Sequence, residues 1–323
     1  MIKTKVVIFL SLLFTFSLFG EEIGLLAGSN SGTYIKIAND IKGVSKNEMK
    51  IDVKTGGSLG NINKLLTDKS SQFAIVQYDA LLYKRDIEGD AKLDSKIKML
   101  FPLYNEEIHI IVSKSSNINS IHDLEGKRVN TDAKSSGSWV TAEMIKSIHA
   151  LTWKEYNLQP RDALIKLAEN KLDAMIYVVG KPAPILVALP KESKDTIKLI
   201  SPELDDYYVS TQFEKETYPW MEGEVKTNAT KALLITYNYK TDSKVKRVQY
   251  YIKNIRKLAS VINNSLGELR ENHHPKWKEI DPKDYDKVKW PLHPVARTAL
   301  FEKNIEMTSS QKKMLEALKR TNK

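Results

Sequence analysis

Three short stretches of this chain set glycines and small hydroxyl residues between an apolar run and a segment of helical period. The first is GSNSGTYIKIANDI, Gly28 to Ile41; the second is KTGGSLGNINKLL; the third is NTDAKSSGSWVTAEM. The first backbone N–H groups of a helix have no intrahelical acceptor, and hydroxyls beside them add further donors. A helix start also carries partial positive charge, so such a point suits an anion. The residues concerned are Ser31, Gly32, Thr33 and Tyr34, then Ser58 and Asn61, then Ser136, Gly137 and Ser138. Taken singly, each stretch reads equally well as a capped turn. Taken together they favour one converging set of donors, with two members in the first part of the chain and one in the second.

Two strand ends supply further candidates. FAIVQYDAL carries Gln77, Tyr78 and Asp79 after four buried-type residues. Asp79 either receives an ammonium group or caps a helix. DAMIYVVGKPAP ends with Tyr177 and Gly180, where the tyrosine either stacks on a ligand or fills the core. Motifs of catalysis fail: GSNSG has Asn30 where a nucleophile elbow needs serine, and neither a phosphate-binding lysine loop nor GxGxxG follows the first strands. The six histidines have no metal-ligand spacing, so no metal and no cofactor is expected. Binding without chemistry is the simpler account.

The elements that must position these residues alternate in type. Short β-branched runs (Ile23 to Ala27, IDVKT, FAIVQ, Glu107 to Ser113, KRVNT, DAMIYVV, Lys231 to Asn238) are interleaved with helical segments. Tyr34, Ile37, Ala38 and Ile41 share one helix face, as do Val140, Met144 and Ile148; a long helix carries Val245 to Ile262, and a last one starts near Ser309. This is the pattern of an α/β protein with largely parallel sheets, whose ligands sit at strand carboxyl ends. The alternation restarts after EIHIIVS, predicting two lobes joined by a two-stranded hinge, with a ligand cleft between them. Lobe I is expected from 21–112 plus 233–323 and lobe II from 113–232.

Residues 1–20 combine Lys3 and Lys5 with a short apolar run and a closing glycine, the signature of a cleavable secretory signal peptide. The chain has no cysteine, hence no disulfide and no lipid-bearing cysteine. The expected mature protein is a monomer free in the periplasm. The formal charge of +10 is dispersed among acidic residues without an aromatic-interleaved basic stripe, so nucleic acid is not an expected partner.

The segments GSNSGTY, TGGSLGNINKL, FAIVQYD, LYNEEIHIIVSK, DLEGKRVNTDAKSSGSWVTAEMI, KLDAMIYVVGKPAP and WPLHPVARTALFEKNI, in this order, resemble the TAXI family of TRAP-transporter solute receptors. That resemblance implies a two-lobed periplasmic binding protein fold closing on a small organic acid or amino acid. It also implies delivery, without ATP hydrolysis, to a membrane permease with fused subunits that is driven by an ion gradient. It carries the ligand-binding role onto the residues already named, Ser31 to Tyr34, Ser58, Asn61, Gln77, Asp79, Ser136 to Ser138, Tyr177 and Gly180. Departures are Val295 where the family has glycine, and a first helix lacking glycine after Tyr34 in YIKIANDI. The expected ligand is a small carboxylate, glutamate-like or a 2-oxo dicarboxylate. The competing reading is a periplasmic sensor that presents its ligand to a membrane kinase or chemoreceptor.

Overall fold

The computed structural model describes residues 22–30, 32–68, 70–204 and 207–301. The expected signal peptide, Ser31 and the expected last helix lie outside the described residues. The first helices and strands follow the sequence pattern. Strand β1 (Ile23–Leu26) is wholly buried between parallel neighbours β2 (Ile51–Lys54) and β3 (Ser71–Gln77). Helix α1 (Thr33–Ser45) buries Tyr34, Ile37, Ala38 and Ile41, and α2 (Ser58–Thr67) buries Leu59, Ile62 and Leu65. The α/β fold expected from the sequence is therefore the fold observed, but in place of a largely parallel arrangement the described strand pairings are four parallel and five antiparallel.

Short helices α3 (Tyr78–Leu82) and α4 (Leu93–Lys96) lead into the long strand β4 (Ile97–Ser113). Then come β5 (Arg128–Asn130), α5 (Gly137–His149), β6 (Lys154–Tyr156), α6 (Pro160–Ala168), β7 (Ala174–Val179) and α7 (Pro184–Val187). Strands β8 (Ile197–Ile200) and β9 (Val209–Phe213) precede the second long strand, β10 (Val225–Tyr237). Helices α8 (Lys246–Asn264), α9 (Leu266–Asn272) and α10 (Pro294–Phe301) follow.

The strands form one sheet in the order β2-β1-β3-β10-β4-β7-β5-β6, with β8 on β4 and β9 on β10. Its centre is the antiparallel pair β4 and β10, both longer than the segments expected at Glu107 to Ser113 and Lys231 to Asn238. Pro102 and the polar run Asn105 to Glu107 make the sequence of β4 look interrupted. The ladder absorbs the proline opposite Leu233, next to a register irregularity where a missing N–H is tolerated.

Along β4 the packing partner changes. Leu100, Phe101, Leu103 and Tyr104 enter the cluster built around α1 and α8, whereas Ile108, Ile110 and Val112 enter one with α5 and β7. The segment 108–112, assigned to the first lobe from its sequence, thus packs with the second half, because the chain changes core around Asn105 to Glu107. Helix α5 serves both halves: Val140 and Met144 join residues of α2 and α3, while Ala142 and Ile145 face the second half. Ile148, expected on the buried face with them, is 48% exposed near the helix end. The Trp/Pro/His-rich segment is also built in: Trp277 is fully buried and donates from Nε1 to Asp40 Oδ2 at 2.8 Å, strapping the chain end to α1.

Candidate functional site

A cavity of about 130 Å³ opens where β1, β2, β3 and β7 end and α1, α2 and α5 begin. Its wall includes Gly32, Thr33, Tyr34, Ser58, Gln77, Ser136, Gly137, Ser138 and Tyr177, nine of the residues named from sequence. Gly28, Ser29, Gly56, Gly57, Glu106, Asp132, Val178 and Val179 complete it. Among the described residues, no lysine, arginine or histidine lines this cavity.

The three helix starts differ in how their backbone donors are used. The N-cap of α1 is Gly32 and that of α2 is Gly57, and neither has a side-chain capping bond. Only α5 is capped, by Ser136 Oγ accepting from Trp139 N at 3.2 Å. The capped-turn reading therefore describes the third loop and not the first two, whose leading N–H groups stay open toward the cavity edge.

Other hydroxyls position rather than point. Ser58 Oγ accepts from Gln77 N at 3.2 Å and donates to Gln77 Oε1 at 3.3 Å, which fixes the Gln77 amide. Ser138 Oγ accepts from Val178 N at 3.0 Å and ties α5 to the edge of β7. Gln77 is 2% exposed, yet among the described residues its Nε2 has no hydrogen-bond partner. A buried amide donor left free costs about 1–3 kcal/mol, so a donor at the cavity wall is poised for an acceptor brought by a ligand. Gly137 is required beside it, since a Cβ there would overlap the Gln77 amide.

Three residues named from sequence are absent from the wall. Asn61 is fully buried and its Nδ2 donates to Ala27 O at 2.7 Å and Ile75 O at 2.9 Å, so it clips β1 to β3 from behind. Asp79 lies beneath the site, 1% exposed, with Oδ2 accepting from Thr141 Oγ1 at 2.6 Å and Tyr208 OH at 3.1 Å. Burial pushes its carboxyl from 3.8 up to about 6, against the pull of those hydroxyls. It neither faces the cavity nor caps a helix by side-chain bonding, because the short helix α3 turns it inward. Gly180 lines an adjoining cavity with Lys36, Lys181, His274 and Lys276, which meets the first at Thr33, Tyr177 and Val179. Its lack of a side chain makes room for the Lys276 stem.

The carboxyl that does face the cavity is Glu106, 5% exposed and unnamed in the sequence reading. Tyr34 OH donates to its Oε2 at 2.6 Å. Burial raises its carboxyl from 4.5 to about 8, more than the Tyr34 bond and the charge of Lys276 lower it. Asp132, in the left-handed backbone region at φ 65°, is a second acid at the wall, and burial raises it too. The signal for Glu106 was available: two adjacent glutamates in an apolar strand demand a partner or a role. It went unread because the strand was started at Glu107. That neighbour proves to be structural, with both carboxylate oxygens on Lys276 Nζ at 3.0 and 3.1 Å.

Sheet, crossing helices and cavity define a mixed α/β protein with a small-metabolite-sized site at its strand ends. The chain belongs to the NMT1-like family, which it matches over residues 25–303. Among solved structures it is similar to a putative sulfonate ABC transporter periplasmic sulfonate-binding protein, SsuA, from Methylobacillus flagellatus KT. There the identity is 15% and the TM-score 0.47, covering 90% of this chain and 87% of that one. It is also similar to the substrate binding protein of an amino acid ABC transporter, at 14% identity and TM-score 0.42, covering 76% and 98%. A third is an ancestral arginine-binding protein bound to arginine, at 16% and 0.44, covering 83% and 97%. At such identities and scores these likenesses say nothing of this chain's ligand.

Proposed function

We propose that this protein is an extracytoplasmic solute receptor that binds a small carboxylate in the cavity between α1, α2 and α5. The observation that carries the reading is the meeting of two helix starts without side-chain caps and the free Gln77 Nε2 at one small cavity. Open N–H groups with the positive ends of helix dipoles stabilise a carboxylate without a cationic side chain. Asn61, Ser58 and Ser138 hold the three loops in place, and Gly180 with Lys276 closes the adjoining wall. Residues 1–20 act as the export signal in this reading, and the mature monomer works in the periplasm.

The two halves are taken as lobes that close on the solute, with α5 bridging them in the closed form. The resemblance to the TAXI receptors supports a TRAP-type permease, with fused membrane subunits, as the partner that takes the solute over. A thermal-shift screen of organic acids and amino acids tests the ligand class, since a native-state ligand at a hundredfold excess over its Kd stabilises by about 2.7 kcal/mol. For a hit, Thr33→Ala and Ser136→Ala should each weaken binding by about 1.5–3 kcal/mol, roughly ten- to a hundredfold, as loss of a hydrogen bond to a charged group does. Unchanged affinity in both variants would remove the hydroxyl contacts, and a screen in which no acid binds would remove the helix-start site. Small-angle scattering should show compaction on saturation.

A further inference from the structure

We infer that Glu106 is the ammonium anchor of the cavity, making the solute an α-amino acid rather than its 2-oxo analogue. The inference rests on the carboxylate-receptor reading above and adds the second charge of the ligand. Glu106 lines the cavity, is 5% exposed, and among the described residues its carboxyl accepts one hydrogen bond, from the neutral hydroxyl of Tyr34. Among the described residues no cation forms an ion pair with it: Lys276, the basic group felt there, is committed to Glu107 and Glu279.

Among the described residues, the other titratable groups that interact with it are acids or phenols. Tyr34 comes from α1, Tyr104 and Glu107 from β4 itself, and Tyr177 from β7. Asp79 lies below and acts on it through space. A buried carboxyl stays neutral until it is paired, so the cation that ionises it must arrive with the ligand. The same cavity is lined by the starts of α1 and α2 and by the Gln77 amide, which are donors for a carboxylate. An acid and a set of open donors at one small cavity is the pairing that the two charges of an α-amino acid need. A dianion such as a 2-oxo dicarboxylate would bring no cation to Glu106 or Asp132.

Asp79, given the task of choosing between these ligand classes from sequence, is too deep to do so; Glu106 takes it over. Burial keeps the Glu106 carboxyl protonated near neutral pH, up to about 8. Arrival of an ammonium group favours the carboxylate, so the carboxyl proton leaves to the buffer as the ligand binds.

Titration calorimetry near pH 7 with matched pairs tests this: L-glutamate against 2-oxoglutarate, and L-leucine against 4-methyl-2-oxopentanoate. In the pair that binds, the amino acid should be tighter by about tenfold or more, the worth of one charged hydrogen-bonded contact. Its enthalpy should vary with buffer ionisation heat in the sense of proton release, and its affinity should rise with pH toward 8. Glu106→Gln, which keeps an acceptor for Tyr34, should lose that preference and the proton release while melting near the wild-type temperature. The wild-type comparison within each matched pair stands as a test even if the variant does not fold. Tighter binding of the oxo acid, or equal binding of both members of a pair, overturns the amine assignment and leaves the carboxylate receptor standing. Binding of neither member of either pair, nor of any acid in the wider screen, overturns both.

Discussion

Replacing Asp79 with asparagine should change how stability depends on pH. The Asp79 carboxyl joins α3 to α5 and to Tyr208, and so links the two halves of the molecule below the cavity. Burial raises it from 3.8 to about 6. Because the folded value lies above the unfolded one, the native state holds the proton more tightly between them. The associated stability is full below the unfolded value and is lost as pH rises through about 6. At 1.36 kcal/mol per unit of pKa difference, the full effect is about 3 kcal/mol, of which about 2.4 kcal/mol falls between pH 4 and pH 7, since pH 4 already lies above the unfolded value. Asparagine cannot ionise, and its oxygen can still accept from Thr141 and Tyr208. Its amide nitrogen would replace Oδ1, a buried atom already without a partner, at a cost of about 1–3 kcal/mol. That cost does not vary with pH. Urea unfolding of wild type and Asp79→Asn at half-unit steps from pH 4 to 7.5 isolates the residue as the difference between two curves. The wild type should lose about 2.4 kcal/mol relative to the variant over this range. A difference that stays flat within about 0.5 kcal/mol would refute the buried, proton-retaining carboxyl.

Gly137→Ala should push the Gln77 amide out of place, because the new Cβ meets it at the start of α5. Calorimetry should show roughly tenfold weaker solute binding with a stability loss of about 1–3 kcal/mol. Lys276→Met should destabilise the protein by about 3–5 kcal/mol at neutral pH, since it leaves the buried Glu107 without its cation. Chemical denaturation measures that loss, and the double variant Lys276→Met with Glu107→Gln should recover most of it.

The sequence by itself determined the local elements and the character of the loops. Period 3.6 at Tyr34, Ile37, Ala38 and Ile41 and continuous apolar runs such as Phe73 to Val76 are contact-free signals, because each depends on one face meeting any core. The three glycine- and hydroxyl-rich helix starts were legible for the same reason: chain geometry leaves their N–H groups open whatever lies opposite. What those groups face was decided only by the tertiary structure. Asp79 and Glu106 are both acids in apolar surroundings at the ends or middles of strands, and composition does not distinguish them. The register of β4 against β10 and β7 and the inward turn of α3 place one at the cavity wall and the other beneath it. Likewise Asn61, a donor at a helix start in sequence, spends its amide on two carbonyls of neighbouring strands. Side-chain direction in a sheet changes with a single residue of register, and whether a buried polar group is satisfied depends on partners distant in sequence. Both are properties of the assembled sheet, which is why the chain announces its donors and the fold alone selects the residue that answers them.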